Sequence, residues 1–126
     1  MDKIDAAEQS VVDFRNKFAM HQYIEIYRSS SSGMKNAISE DAFVKMADEA
    51  SKDLGAFQSA TPKDRIVKYQ IIGGPRIVLT YESKYSNSKF IINESFAFDT
   101  ENEEIMLSGY HYGKGKLISD EINISK

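Results

Sequence analysis

The spacing of apolar residues changes character near the middle of the chain. Ala7, Val11, Phe14 and Phe18 follow one another at helical intervals and lay one apolar stripe along a helix over about residues 6–20, with Asp5 and Glu8 at capping-box spacing. Tyr23, Ile24 and Tyr27 then share one side of a second, shorter helical segment, and the run Ser29, Ser30, Ser31, Ser32, Gly33 after it reads as a surface loop. Ser39 is a natural N-cap, and Glu40 and Asp41 suit the positive end of a helix. Phe43, Met46, Ala47, Ala50 and Leu54 carry the stripe of this third helix to a stop at Gly55.

Beyond Gly55 the period falls to two. Residues 65–72, 75–85, 89–98 and 104–112 read as strands, and the connections Gly73-Gly74, Ser86-Asn87-Ser88 and 99–103 are short enough for hairpins. Helices first and strands afterwards predict an α+β fold, with N-terminal helices packed on a curved antiparallel meander of four or five strands. A single domain is expected, helical over about 5–55 and sheet over about 56–113, with 114–126 as an added edge strand or a tail. Ile77, Leu79, Tyr81, Phe90, Ile92, Phe96 and Phe98 are expected to meet the helices. Val78, Thr80, Glu82, Lys84, Asn93, Ser95 and Ala97 are expected on the other face.

One residue breaks the inward row. In KFIINESFAF the even positions are Phe90, Ile92, Glu94, Phe96 and Phe98, so alternation puts a carboxylate among four large apolar side chains. Enclosed there, Glu94 either takes up a proton or needs a cation or hydrogen-bond donors beside it. One reading makes it an acid or base in a pocket, with Tyr81 or His111 as polar neighbour. A second has it bonded to backbone, to a tyrosine hydroxyl or to Arg76, fixing the helices on the sheet. A third exposes it through a local bulge.

Composition narrows the chemistry. Sixteen basic and nineteen acidic residues, mixed along 126 positions, leave a net charge of -3, which argues against nucleic acid as a partner. No cysteine is present, which excludes disulfides, thiolate metal sites and a cysteine nucleophile. The two histidines, His21 and His111, have no ligand spacing to each other or to a helical glutamate, so neither metal nor cofactor is expected. GYHYGKGK encloses three residues between Gly109 and Gly113 where a phosphate loop needs four, and Gly115 stands where it needs Ser or Thr. No run of apolar residues is long enough for a transmembrane segment, and MDKIDAAEQ lacks the layout of a signal peptide. The expectation is a cytoplasmic protein, or a periplasmic or secreted one if an export signal or lipid-bearing cysteine preceded Met1.

FRNKFAMHQYIEIYRSSSSGMKNAISEDAFVKMADEASKDLG, followed by IVLTYESKY, FIINESFAF and IMLSGYHYG, resembles the small secreted bacterial domains known as domain of unknown function 4019. In this resemblance, which spans about Val11 to Gly113, Tyr23 matches the tyrosine ending the first helical pair and Leu54-Gly55 the helix stop. Glu94 matches the strand glutamate, and Gly109-Tyr110 the closing pair. Phe14, Phe43 and Met106 stand where such domains often carry tryptophan. The resemblance implies the nuclear-transport-factor-2-like (cystatin-like) superfamily, cone-shaped α+β domains that include ketosteroid isomerase and many non-catalytic dimers.

The functional expectation is a non-catalytic module that self-associates or holds a small molecule or peptide. Val78, Ile91, Ala97, Met106, Tyr110 and Tyr112 are candidates for a mixed apolar patch on the second face, where a homodimer would meet. An isomerase- or hydratase-like enzyme using Glu94 and a tyrosine is the alternative. An accessory protein that binds its partner through loops such as 29–35 is the third.

Overall fold

The computed structural model describes residues 2–70 and 74–118. Four helices, α1 (Lys3–Ala19), α2 (Tyr23–Arg28), α3 (Ser32–Ala37) and α4 (Glu40–Leu54), precede four strands, β1 (Phe57–Lys68), β2 (Arg76–Tyr85), β3 (Phe90–Glu101) and β4 (Glu104–Leu117). The strands form one curved antiparallel sheet in chain order, and the helices cover its inner face, so the α+β meander is the observed architecture. No helix among the described residues is long and apolar enough to cross a membrane.

α1 starts earlier than its spacing suggests because Asp2, not Asp5, is the cap, accepting a hydrogen bond from the Asp5 amide at 2.7 Å. Ala7, Val11 and Phe14 are buried against Ile26, Ile77, Leu79, Phe96 and Phe98 in the main core. In α2 the buried residues are Tyr23, Ile26 and Tyr27, while Ile24 is 44 % exposed, because the short helix presents its i, i+3, i+4 edge to the core.

The serine run is a surface loop only in part, since Ser29, Ser32 and Gly33 are exposed while its middle is buried and its end is helical. Ser30 and Ser31 are buried, and Ser31 caps the unexpected helix α3 by accepting from the Met34 amide at 3.1 Å. The Ser31 amide donates to the Leu107 carbonyl at 2.8 Å, which ties the run to β4. Small hydroxyl residues suit this place because they satisfy local backbone groups where larger side chains would not fit.

The first strand also lies earlier than expected, starting at Phe57, with bulges at Gln58 and Lys63. Period-two reading misses the stretch before Arg65 because each bulge reverses the alternation and the strand pairs only with β2, leaving most side chains exposed. Pro62, the residue that argues most against a strand, sits on this edge. The expected end of that strand and the Gly73-Gly74 hairpin fall partly at 71–73, outside the described residues. The first part of the expected tail continues β4 to Leu117, and residues 119–126 lie outside the description.

α4 is capped by Ser39 and ends at Gly55, whose φ of 77° and ψ of -151° belong to a region open essentially to glycine alone. A Cβ there would stand 2.6 Å from Asn87 Cγ and closer still to Ser86 Oγ, so the helix end is clasped by the β2–β3 turn. The Asn87 amide donates to the Leu54 carbonyl at 3.0 Å and the Ala56 amide to Ser86 Oγ at 2.7 Å. Gly55→Ala is therefore expected to cost at least about 1–3 kcal/mol in urea unfolding from backbone strain alone.

Candidate functional site

Glu94 lies in the middle of β3, is fully buried, and is surrounded by donors from three other elements. Arg15, from α1, donates through Nη1 to its Oε1 at 3.0 Å, and Ser83, from β2, donates to the same oxygen at 2.5 Å. Oε2 accepts from the hydroxyls of Tyr85 at 2.7 Å and Tyr110, on β4, at 2.5 Å. Arg15 Nη1 also donates to the Tyr85 oxygen at 3.1 Å, closing the network. Arg15 Nη2 is buried with no hydrogen-bond partner, but the guanidinium lies 4.1 Å from the Phe57 ring centre and 5.4 and 5.5 Å from those of Phe96 and Tyr81. Aromatic faces take the place of the missing acceptor.

The neighbours differ from those expected. Tyr81 is paired across from Glu94, yet its hydroxyl makes no hydrogen bond to it, and its ring meets Phe96 edge-on. His111 is exposed opposite Ser95. Arg76 pairs with Asp99 at 3.1 Å instead.

A bulge in β4 explains the exchange of His111 for Tyr110. Ala97 pairs with Gly109 and Phe98 with Leu107, which leaves Ser108 as the extra residue. Ile105 and Leu107 face the core before it, and Tyr110 does so after it. Tyr110 and Tyr112 are consequently not on the face that carries Val78 and Ala97. Met106 lies on that outer face against Asp99, and Ile91 is already buried. The six expected patch residues do not form one surface.

Ser83 and Tyr85 were legible as members of the inward row Ile77, Leu79, Tyr81. Arg15 stands four residues after Val11 on the edge of the α1 stripe, a position where a basic residue is ordinarily read as solvated.

Next to this network is a cavity of about 400 Å³ between α3, α4 and β4. Phe14, Phe18, Phe43, Met46, Ala47 and Ala50 make most of its helical wall, and Ser108 to Tyr112 form the strand wall, with His111 bordering it from between the two tyrosines. Tyr110 belongs to both sites, its ring lining the cavity and its hydroxyl ending on Glu94. Among the described residues no group of three His, Asp or Glu side chains is arranged to hold a metal ion.

Removing the charge of Glu94 should loosen the fold. In Glu94→Gln an amide NH₂ faces donors and Arg15 loses its counter-ion inside the protein, so unfolding free energy is expected to fall by about 3–5 kcal/mol in urea titrations. The two tyrosines add a pH dependence. Burial, and then the charge of Glu94, push the Tyr85 and Tyr110 phenols well above the ordinary range. Unfolded phenols ionise near pH 10, so above that pH the unfolded chain gives up protons that the folded one keeps, and stability present below about pH 10 is lost as pH rises. In an alkaline titration followed by phenolate absorbance, these two of the seven tyrosines are expected to ionise only as the protein unfolds.

The chain matches no family model, and a search of curated proteins found no match for it either.

Proposed function

We propose that this protein is a non-catalytic binding module that holds a small apolar molecule between α3, α4 and β4. The observation that carries this reading is the cavity of about 400 Å³, a volume in the range of small-molecule sites, walled mainly by aromatic rings, methionines and alanines. Ala47 and Ala50 face the cavity from α4, so small residues there keep open a space that larger ones would fill. Met46 is 59 % exposed although it belongs to the apolar stripe of its helix, and it lines the same cavity. The likeness to cone-shaped domains that enclose a pocket between helices and sheet forms part of the same proposal.

Acid–base catalysis by Glu94 is disfavoured by its occupancy, since four donors already share its two oxygens. Recognition through 29–35 has a narrower basis than a loop would give, since Ser30, Ser31 and Met34 are buried and only Ser29, Ser32, Gly33 and Lys35 are exposed. Self-association has a smaller basis, the outer-face row Ile66, Val78, Ala97 and Gly109.

Filling the space tests the reading. The wild-type protein is expected to enhance the fluorescence of N-phenyl-1-naphthylamine, and Ala50→Leu to abolish the enhancement with stability unchanged or raised. Overpacking a filled core costs about 1–3 kcal/mol, so such a loss of stability, or probe binding unaffected by the substitution, would argue against an open site.

A further inference from the structure

The cavity lining also limits what kind of molecule fits, given the binding reading above. It contains no Lys, Arg, Asp or Glu side chain, and its one histidine, His111, is exposed opposite Ser95 on the outer face of β4, so an ionic head drawn inside would lose its water without meeting a counter-ion. Three hydroxyl-bearing residues line it. Tyr110 already donates to Glu94, and Tyr112 donates to Asp53 at 3.3 Å. Ser108 Oγ is buried and has no partner at all. The reason is local, because Ser108 is the bulged residue of β4 and stands outside the regular ladder. Buried hydroxyls are nearly always paired, so an orphan in a cavity wall marks a place where an occupant supplies the missing bond.

We propose that the occupant is an uncharged, largely apolar molecule carrying one hydroxyl or carbonyl group, which hydrogen-bonds to Ser108. A serine hydroxyl both donates and accepts, so a turn about Cβ–Oγ lets it serve an alcohol or a ketone equally, and the enclosed oxygen reaches the occupant by a turn about Cα–Cβ. The hydrocarbon part lies against Phe14, Phe18, Phe43 and Met46, and the polar group lies toward β4.

Three ligands of one shape separate this proposal from the binding reading on which it rests. Naphthalene, 2-naphthol and 2-naphthoate would be titrated at neutral pH against the full chain, with affinity read from chemical-shift changes. The expected order is 2-naphthol tightest, by about three- to tenfold over naphthalene as one neutral hydrogen bond allows, with 2-naphthoate weakest. Ser108→Ala should bring 2-naphthol down to the level of naphthalene and leave naphthalene unchanged, which also reports that the variant is folded. Equal binding of naphthalene and 2-naphthol by the unaltered protein would overturn the role of Ser108 while leaving the cavity reading intact. So would a preference for 2-naphthol that survives Ser108→Ala. If none of the three binds, the cavity reading fails and takes this inference with it.

Discussion

A carboxylate cut off from water has to be met by donors on every side, and that requirement organises this fold. Glu94 sits on β3 and draws its partners from α1, β2 and β4, so its two oxygens join a helix to three adjacent strands. Apolar contact alone would allow α1 to slide or rotate over the sheet at small cost, since hydrophobic attraction has no direction. Charge-assisted hydrogen bonds do have direction. With Arg15 fixed on Glu94 and stacked on Phe57, the helix has one position along the sheet, and Phe14 and Phe18 beside it are aimed accordingly.

The same anchoring separates a filled region from an open one. On the β2–β3 side of α1, Ile77, Leu79, Phe96 and Phe98 close the core without access for solvent. On the β4 side the helices α3 and α4 present alanines toward the strand, and space remains. Tyr110 stands at the division, because its hydroxyl is held by Glu94 and its ring is therefore not free to fold into the space beside it. A buried ion pair contributes less to stability than its Coulomb energy suggests, but it favours one arrangement over its near alternatives.

Much of this was legible in the sequence, and the failures have identifiable causes. The change of period after Gly55, the serine cap of α4 and the inward row of β3 follow from local rules that the tertiary structure respects. The anomaly of Glu94 was visible because it interrupts a regular alternation. Its partners were not, since Arg15 and Tyr110 lie 79 and 16 residues away and pairing at that distance depends on helix placement and strand register. The first part of β1 and all of α3 were missed for a different reason. Two bulges reverse the alternation that reveals a strand, and a run of serines signals a turn unless something shows that it is buried.

Ser108 shows how much a strand's chemistry depends on its count of residues. Side chains alternate between faces, so one residue more or less exchanges the two faces for everything downstream. Were Ser108 paired opposite Ala97 instead of bulged out of the ladder, with Phe98 still opposite Leu107, His111 would come opposite Glu94 and Tyr110 and Tyr112 would turn outward, with no change in any of those three side chains. For chains built on this plan, losing the bulge while keeping the residue count is thus a change of active vocabulary, trading a phenol for an imidazole beside a buried carboxylate. Where this strand bulges is as informative as its composition.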